Sequence, residues 1–545
     1  MKKILFIVFA SLAAVLSVSS CCSCDEYGYK IKDGVAVYNT PARPADQISM
    51  IGFAADPIET VRVAFIGLGD RGDGAVRRFT YLDGVEIVAL CDIEEDRVNE
   101  MQELLAKRGK PAADAYFGSR DAWKELCQRD DIDLVYIVTD WKMHTPMAVY
   151  AMEHGKHVAI EVPATTSIEE CWQLVNTAEK TQRHCMMLEN CVYDFFELTT
   201  LNMAQHGLFG EVIHAEGAYI HDLRALNYLD PANKGYQGYW RLKWNNEHFG
   251  NPYPTHGLVP LMQAMNINRG DRFTTLVAMD TKSVNGKEYV ERKTGKPCNN
   301  YRNGDHTTTL MRTAQGKVVE IQHNVMTPQP YNRLFKLTGT KGYATKYPTP
   351  EFALSGEALK GTDAPQMDNL NAHKFMDAKQ KDALMKKYYH PILTEYGENG
   401  RSMGHGGMDY IMDARLVYCL QHGLPLDIDV YDMAEWCCLA ELGALSMDNN
   451  CAAVSFPDFT RGHWNEVKGF KHAYAPAAEE AEVEAKAEAY TAAQKEAVAA
   501  NNLWALYDAV RKAEGDKAKA KAEKAYRKAV AKADKQIETK LAAKK

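Results

Sequence analysis

The sequence predicts an α/β fold in three parts: a doubly wound parallel sheet, an α+β domain with a mostly antiparallel open sheet, and a C-terminal helical appendage. Between Val61 and Asn190, apolar β-branched runs alternate with segments of helical periodicity, which is typical of a parallel sheet covered by helices. From about Glu211, strand-like segments follow one another through glycine turns, as in an antiparallel sheet. After about Tyr474, the composition changes to Ala, Glu and Lys, which favours helix.

Length and composition set the class of protein. The 545 residues, 46% of them hydrophobic, are enough for about two to four folded units. A formal net charge of -8 gives no sign of a nucleic-acid partner or of a membrane recognised through charge. Thirteen cysteines lie at scattered spacings, mostly in apolar segments, and are expected to be buried free thiols. No paired CxxC motif has zinc spacing, so no metal site is predicted.

The N-terminus has the pattern of a secretory signal, predicted for residues 1–21. Two lysines precede an apolar run from Ile4 to Val18, which is too short to span a bilayer, and small residues follow it. The segment Val18 to Cys21 resembles a bacterial lipobox, and both lipidation at Cys21 and ordinary cleavage remain open. We therefore expect a periplasmic or outer-membrane-anchored protein. Residues 22–60 are polar and rich in proline, which predicts a linker.

The first folded domain is predicted for residues 61–190. The strand-like run VRVAFI begins at Val61, and VEIVALCD ends at Asp92. Two further runs, IDLVYIVTD and KHVAIEVP, end at Asp140 and Pro163. Each run is followed by helical spacing, so these strands are expected to lie parallel in one sheet.

A glycine motif follows the first strand and indicates a dinucleotide site. Gly67, Gly69 and Gly72 fit G-x-G-x-x-G before a helix, and Asp92 ends the next strand twenty positions later. Such a turn lets the backbone approach a pyrophosphate at a helix N-terminus, and an acidic residue favours NAD over NADP. The sequence therefore predicts a Rossmann domain that binds NAD. The alternative is a turn that merely packs a strand closely against a helix.

The second domain is predicted for residues 191–474 and the helical tail for residues 475–545. Strand-like segments such as EVIHAEGAYIH and TTTLMRTAQGKVVEIQHNV form the expected antiparallel sheet, which helices within Ile411–Gly443 are expected to cover. In the tail, only a few residues near Leu503 and Leu506 form an apolar stripe. A solvated helical hairpin, broken at Gly515, is preferred to a partner-binding module.

The triplet Glu161-Val162-Pro163 connects these domains to a function. The chain resembles bacterial sugar oxidoreductases typified by glucose-fructose oxidoreductase and inositol dehydrogenase, which usually have Glu-Lys-Pro there, with a catalytic lysine. Valine cannot transfer a proton. The segments TDWKMHTPMAVYAM, IEVPA, HCMMLEN, GEVIHAEGAYIHDLR, NPYPTHGLVP and MNINRGDR more specifically resemble glycoside hydrolase family 109, the NAD-dependent α-N-acetylgalactosaminidases.

This resemblance implies two sets of site residues. The positions that match NAD contacts in the family are Asp70, Arg71, Asp92, Trp141, Lys142, Met143, His144, Glu161, Val162 and Asn190. The positions that match its sugar site are Tyr219, Arg241, Tyr253, Pro254, Thr255, His256 and Tyr331. His256 and Tyr219 are the predicted catalytic residues. His144 and His221 are expected to be structural or to lie beside the cofactor.

The implied reaction uses NAD to cleave a glycosidic bond, which is an exception to hydrolysis by paired carboxylates. The sugar is oxidised at C3, eliminates its C1 substituent after loss of the C2 proton, adds water and is reduced again, so NAD stays bound. A histidine titrates near neutrality, which suits His256 to the proton of the C3 hydroxyl. Tyr219 or Tyr253 is a candidate base at C2 if Arg241 lowers its pKa, and Tyr193 is a further candidate.

Three functions remain open at this stage. The first is a glycosidase acting on an N-acetylhexosaminide, foremost an α-N-acetylgalactosaminidase. The second is an NAD(P)-dependent sugar oxidoreductase that exchanges its cofactor, and the third is a non-catalytic sugar-binding lipoprotein. A carbohydrate is the expected partner in each case, membrane contact is expected only through a lipid anchor, and assembly into a homo-oligomer stays open.

Overall fold

The computed structural model describes residues 27–227, 235–397, 400, 403–475, 496–497, 499–512 and 516–542. The predicted signal peptide, residues 1–21, and the predicted break at Gly515 lie outside these ranges. Within them, no helix has both the length and the apolar character that crossing a membrane requires.

The described elements are numbered here in chain order. The strands are β1 (Tyr29–Lys32), β2 (Val35–Tyr38), β3 (Val61–Ile66), β4 (Val85–Cys91), β5 (Asp114–Tyr116), β6 (Leu134–Ile137), β7 (His157–Ile160), β8 (Cys185–Met187), β9 (Val212–Ile220), β10 (Phe273–Asp280), β11 (Thr307–Thr313), β12 (Val318–Asn324), β13 (Lys336–Gly339), β14 (Gly342–Thr345), β15 (Glu351–Leu354) and β16 (Val454–Ser455). The α-helices are α1 (Asp70–Phe79), α2 (Glu95–Lys107), α3 (Ala122–Cys127), α4 (Trp141–Glu153), α5 (Ile168–Thr181), α6 (Phe195–Gln205), α7 (Arg224–Asn227), α8 (Trp240–Glu247), α9 (Thr255–Met265), α10 (Asn285–Thr294), α11 (Ala378–Lys387), α12 (Met408–His422), α13 (Val430–Cys437), α14 (Leu439–Asp448), α15 (Leu503–Lys512) and α16 (Asp516–Ala542).

The predicted doubly wound parallel sheet is confirmed. It has six strands in the order β5-β4-β3-β6-β7-β8, and every pair in it is parallel. Strands β6 and β7 are buried along their whole length, as expected for a sheet covered on both faces. Because parallel strands end at one edge, that edge carries Gly67, Asp92, Asp140, Glu161 and Glu189.

The second sheet is the predicted mostly antiparallel one. It has ten strands in the order β1-β2-β16-β10-β11-β12-β9-β13-β14-β15, and its parallel pairs are β9 with β12 and β2 with β16. Helix α9 packs on β9 and α14 packs on β10. Helices α12 and α13, expected beside this sheet, instead contact α1 and α5 of the parallel-sheet domain. The helical segment therefore joins the two domains.

The prediction that residues 22–60 form a linker is wrong for the described residues, 27–60. Strands β1 and β2 form an antiparallel hairpin, and Ala36 of β2 pairs with Val454 of β16. Ala36 and Tyr38 are buried, and Met50 donates its N–H to the Tyr431 hydroxyl at 2.9 Å. The turn between the strands is Asp33-Gly34, a pair that favours two-residue hairpins, within a stretch that its polar composition assigned to a tether.

The described part of the tail is helical. Helices α15 and α16 contact each other, and Ala497, Leu503, Ala533 and Ile537 form an apolar cluster of their own. This cluster is separate from the continuous core of the two sheets.

Candidate functional site

The glycine loop after β3 has the shape that a dinucleotide requires. Gly67 has φ +92°, and a Cβ there would collide with the carbonyl oxygen of Val138. A Cβ on Gly72 would collide with the carbonyl oxygen of Gly67, so the turn closes only with glycine at both positions. Gly69 is the N-cap of α1, which leaves the amides at the helix start facing outward. This cradle fits a pyrophosphate.

Asp92 accepts a hydrogen bond from the glycine loop. It is buried, and its Oδ2 accepts the backbone N–H of Leu68 at 2.6 Å, while Oδ1 accepts that of Glu94 at 2.9 Å. The Arg97 guanidinium lies 3.9 Å from Oδ2 and close to Gly69. Arg97 was not predicted, although its position in the first turn after the acidic residue could have indicated it. The carboxylate thus combines loop support with the placement expected of a ribose acceptor.

Three predicted cofactor residues meet in one charged cluster. Arg71 Nη2 lies 2.7 Å from Glu161 Oε1, and its Nη1 lies 2.9 Å from Asp409 Oδ2. Asn190 donates to Asp409 Oδ1 at 2.6 Å, and His405 Nδ1 lies 2.9 Å from Oδ2. Asp70 is exposed at the start of α1 and stays outside this cluster. Arg71 therefore links the parallel-sheet domain to α12.

Asp409 is the residue that sequence reasoning missed in this cluster. Burial raises its pKa, but Arg71, His405 and Arg78 outweigh burial, so its pKa is held well below the ordinary range. Gly404 has φ +96°, and a Cβ there would collide with the Asp409 carboxylate. The glycine-rich run GHGGMD was the available signal, because glycines crowded before a buried acid indicate a close backbone approach.

Trp141 connects the cofactor side to the second domain. Its ring is stacked with Tyr253 at 6.0 Å between centroids and meets Trp240 and Trp244 edge-on at 5.0 and 5.7 Å. Trp240 and Trp244 were not predicted. The following Lys142 is exposed, with its Nζ 3.9 Å from Glu247 Oε2, and Met143 is partly buried.

His144 ties the start of α4 to the end of β7. It is buried, with Nδ1 2.8 Å from the Pro163 carbonyl oxygen and Nε2 3.1 Å from that of Thr139. Burial lowers the pKa of His144. Val162 is buried beside it, and the Val162–Pro163 peptide bond is cis. This geometry gives His144 the structural position expected of it.

His256 lies at the start of α9, where Pro254 and Thr255 before it are buried. Its Nδ1 lies 2.7 Å from Glu189 Oε1, and its Nε2 lies 3.3 Å from the Tyr253 hydroxyl. Glu189, fully buried at the end of β8, was not predicted, although it precedes Asn190 in HCMMLEN. Burial works to raise the pKa of Glu189, but the charge and hydrogen bond of His256 outweigh it, so the pKa lies below its ordinary value.

Tyr219, on β9, packs against Tyr253 and His256. Its ring centroid is 4.7 Å from that of Tyr253 and 5.3 Å from that of His256. Its hydroxyl lies 3.1 Å from His221 Nδ1. Burial raises the pKa of Tyr219 to about 12 although Arg241 lowers it. The hypothesis that Arg241 yields a low-pKa tyrosine is therefore wrong, because burial outweighs the cation.

Arg241 and Tyr331 contact the same group of side chains. Arg241 is buried, with its guanidinium carbon 4.9 Å from the Tyr253 ring centroid and 5.2 Å from that of Trp141. It donates to the Tyr236 hydroxyl at 3.3 Å. Tyr331 is 42% exposed, and its ring lies edge-on 4.9 Å from His221. Five of the predicted sugar-site residues thus lie in one cluster of contacting side chains, in which Tyr331 is the most exposed: Tyr219, Arg241, Tyr253, His256 and Tyr331.

The geometry does not support Tyr193 as a base or a metal ion beside His256. Tyr193 is buried and donates to Asp427 at 3.1 Å, and burial raises its pKa, so its candidacy as a base is wrong. Glu189, Cys191 and His256 bring possible metal-binding atoms within 4.8 Å of one another. However, Arg333 Nη1 lies 2.6 Å from Cys191 Sγ, so a cation of the protein already occupies that position.

Comparison with known families matches both domains. Residues 193–466 match the model described as "Glycosyl hydrolase 109, C-terminal domain". Residues 61–189 match the model described as "Oxidoreductase family, NAD-binding Rossmann fold".

Curated relatives match along nearly the whole chain. "Glycosyl hydrolase family 109 protein 3" of Phocaeicola vulgatus is 64% identical over 516 residues, which cover 94% of this chain and 94% of the relative. "Glycosyl hydrolase family 109 protein 1" of Bacteroides thetaiotaomicron is 54% identical over 476 residues, covering 87% of this chain and 100% of the relative.

Solved structures share the fold at low identity. An NAD binding oxidoreductase from Klebsiella pneumoniae has a TM-score of 0.53 and 15% identity, covering 73% of this chain and 99% of that one. The WlbA dehydrogenase from Bordetella pertussis, in complex with NADH and UDP-GlcNAcA, has a TM-score of 0.50 and 13% identity, covering 74% and 99%. These likenesses show the two-domain architecture.

Proposed function

The chain belongs to glycoside hydrolase family 109 and is an NAD-dependent enzyme, and from this premise we propose that it is a glycosidase, specifically an α-N-acetylgalactosaminidase, that keeps its NAD bound. The observation that carries the proposal is the pairing of His256 with Glu189 at the edge where the parallel strands end. At that edge, Val162 stands where the related sugar dehydrogenases have their lysine. The proposal therefore assigns the acid/base role to His256 and not to the position of Val162.

The residues around the glycine cradle fit NAD. The amides at the start of α1 would hold the pyrophosphate, and Asp92 would accept the ribose hydroxyls. Arg71, Glu161 and Asn190, held in place by Asp409, would orient the nicotinamide end. Bound NAD supplies reversible oxidation at C3 of the sugar.

His256 moves the proton of the C3 hydroxyl. With Nδ1 donating to Glu189, Nε2 of a neutral ring has a lone pair that can accept this proton. Arg241, Tyr253 and Tyr331 would hold the sugar hydroxyls. The Tyr253 hydroxyl lies 3.3 Å from Nε2, Arg241 lies over the Tyr253 ring, and Tyr331 lies edge-on to His221.

Tyr219 accepts the C2 proton once C3 is a ketone. Since the pKa of Tyr219 is about 12, it acts as a neutral hydroxyl that passes its own proton to His221. Burial lowers the pKa of His221, which keeps its ring neutral and able to accept. Tyr219 and His221 together thus transfer the proton without a tyrosinate being formed beforehand.

An oxidoreductase that exchanges NAD is the second candidate, favoured only by the shared fold. The proposed location is the periplasm or the outer membrane, where free NAD is scarce and a retained cofactor has the advantage. A lipid anchor at Cys21 and a homo-oligomer belong to the same proposal, and neither is required for the chemistry.

The deciding experiment incubates the purified protein, without added NAD, with α- and β-linked chromogenic N-acetylhexosaminides in deuterated water. We expect cleavage of the α-linked galactosaminide with deuterium at C2 of the released sugar, because elimination breaks that C–H bond. His256→Ala should keep bound NAD and lose on the order of a hundredfold in turnover. His206→Ala, at an exposed histidine directly after α6, is the matched control. Cleavage without C2 exchange would refute the mechanism.

A further inference from the structure

We propose that Glu189 is a positioning residue that fixes the tautomer of His256 and stabilises its protonated form, and thereby sets the pH range in which the enzyme works. This inference rests on the proposed function. Glu189 lies outside every set of site residues assigned from the sequence, and it reaches His256 from the other domain. The two residues are 67 positions apart in the chain.

One oxygen of the Glu189 carboxylate accepts two hydrogen bonds. Oε1 of Glu189 accepts from His256 Nδ1 at 2.7 Å and from the backbone N–H of Cys191 at 3.0 Å. Among the described residues, Oε2 is buried without a hydrogen-bond partner. The Cys191 bond caps the 3-10 helix Asn190–Tyr193, so it fixes the carboxylate relative to the end of β8. The histidine is fixed separately by the start of α9.

A carboxylate with this environment can only accept, and this determines the histidine tautomer. A carboxylate has no hydrogen to donate, so at the 2.7 Å contact with Glu189 Oε1 the hydrogen lies on Nδ1 of His256. Nε2 then faces the Tyr253 hydroxyl and the sugar space with its lone pair. When Nε2 takes a proton, the adjacent negative charge stabilises the imidazolium, as the carboxylate does in other carboxylate–histidine pairs.

Other charged and titratable groups also face His256. Tyr219 approaches from β9 and His221 from the residue after it, Tyr253 from the segment before α9, and Cys191 from the 3-10 helix. The cations Arg241 and Arg333 lie behind Tyr253 and Cys191. Both cations oppose protonation of the ring, whereas Glu189, in direct contact, favours it. The carboxylate is therefore the group whose removal should shift the pH range most.

Glu189→Gln separates this role from that of a helix cap. Since both hydrogen bonds go to Oε1, the amide oxygen of glutamine can keep them. The substitution removes the charge and places the amide NH2 where Oε2 is, near the Thr255 hydroxyl, which can accept from it. Glu170→Gln is the matched control, because Glu170 also accepts a backbone N–H, from Thr166 at 2.6 Å, on helix α5. Neither variant removes a residue that touches the sugar in the proposed site.

The expected result is a shifted pH profile in a folded protein. Glu189→Gln should keep its bound NAD and melting temperature, lose about ten- to a hundredfold in kcat with little change in KM, and move the acidic limb of the pH–rate profile down by about 1 to 3 pH units. Glu170→Gln should leave the profile unchanged. In a His256→Gln background, Glu189→Gln should cause no further loss, because its effect passes through the histidine.

An unchanged acidic limb, or an equal fold-loss in the His256→Gln background, would overturn the proposal. Histidine ¹⁵N chemical shifts of the wild-type protein, assigned by difference with His256→Gln, give a second test that needs neither substrate nor a folded Glu189 variant. We expect the Nδ1–H tautomer, and an Nε2–H tautomer would refute the positioning role. Absence of glycosidase activity in the wild type would instead count against the proposed function, and the tautomer would remain readable.

Discussion

Asp409→Asn removes one negative charge from the cluster that joins the two domains. Asp409 is 1% exposed, and its Oδ2 lies 2.9 Å from Arg71 Nη1 and 3.7 Å from Arg78 Nη1. Breaking a buried ion pair costs about 3 to 5 kcal/mol. Here Arg71 keeps Glu161 and Arg78 keeps Asp413, and the Arg71 side chain is 32% exposed. We therefore expect a loss of about 2 to 3 kcal/mol in the free energy of unfolding.

The pH dependence of this loss has a definite sign. The pKa of Asp409 is held well below its ordinary value, so the stabilisation is complete above the ordinary aspartate range and disappears as the pH falls towards the folded-state pKa. The difference between wild type and Asp409→Asn should therefore be constant from about pH 8 to pH 5 and should narrow below about pH 4. The folded variant should also bind NAD more weakly, because Asn190 and Arg71 lose the carboxylate to which both donate.

Thermal unfolding of the NAD-bound protein between pH 3 and pH 8 measures this effect. For a folded core of this size, a loss of about 2 to 3 kcal/mol corresponds to a melting temperature lower by about 2 to 3 °C. Glu103→Gln, which breaks the exposed pair with Lys107 on α2, is the control and should melt like the wild type. A melting temperature within 1 °C of the wild type in Asp409→Asn, or a difference that grows at acidic pH, would show that the cluster does not join the domains as described.

The remaining predictions concern the cofactor, a buried acid and the tail. Denatured wild-type protein should release about one NAD per chain, and Asp92→Ala should release less, because Asp92 supports the loop amide of Leu68; equal release would contradict this. Burial raises the pKa of Glu435 to about 8, so Glu435→Gln should stabilise the protein at pH 8 by on the order of 3 kcal/mol and have little effect at pH 4, measured by urea unfolding. A chain ending at Ala475 should stay folded and active, because the tail cluster is separate from the core; aggregation would contradict this.

Local patterns in the sequence were sufficient for much of the fold. The alternation of strand and helix after Val61 predicted the parallel sheet, because hydrophobic periodicity is a property of neighbouring residues. The glycine spacing at Gly67–Gly72 predicted the cradle for the same reason. For β1 and β2, polar composition wrongly predicted a linker. The alternation in VAVY and the Asp33-Gly34 turn correctly indicated a hairpin.

The sequence alone therefore determined the class of fold and the dinucleotide loop, and its resemblance to a family supplied the residues proposed for the sugar site. Only the tertiary structure decided which of these residues act together. Arg71 meets Asp409 across 338 positions, and His256 meets Glu189 across 67 positions, so no local pattern could pair them. It also decided the protonation of Tyr219, because burial is set by the surrounding chain and here outweighs the charge of Arg241.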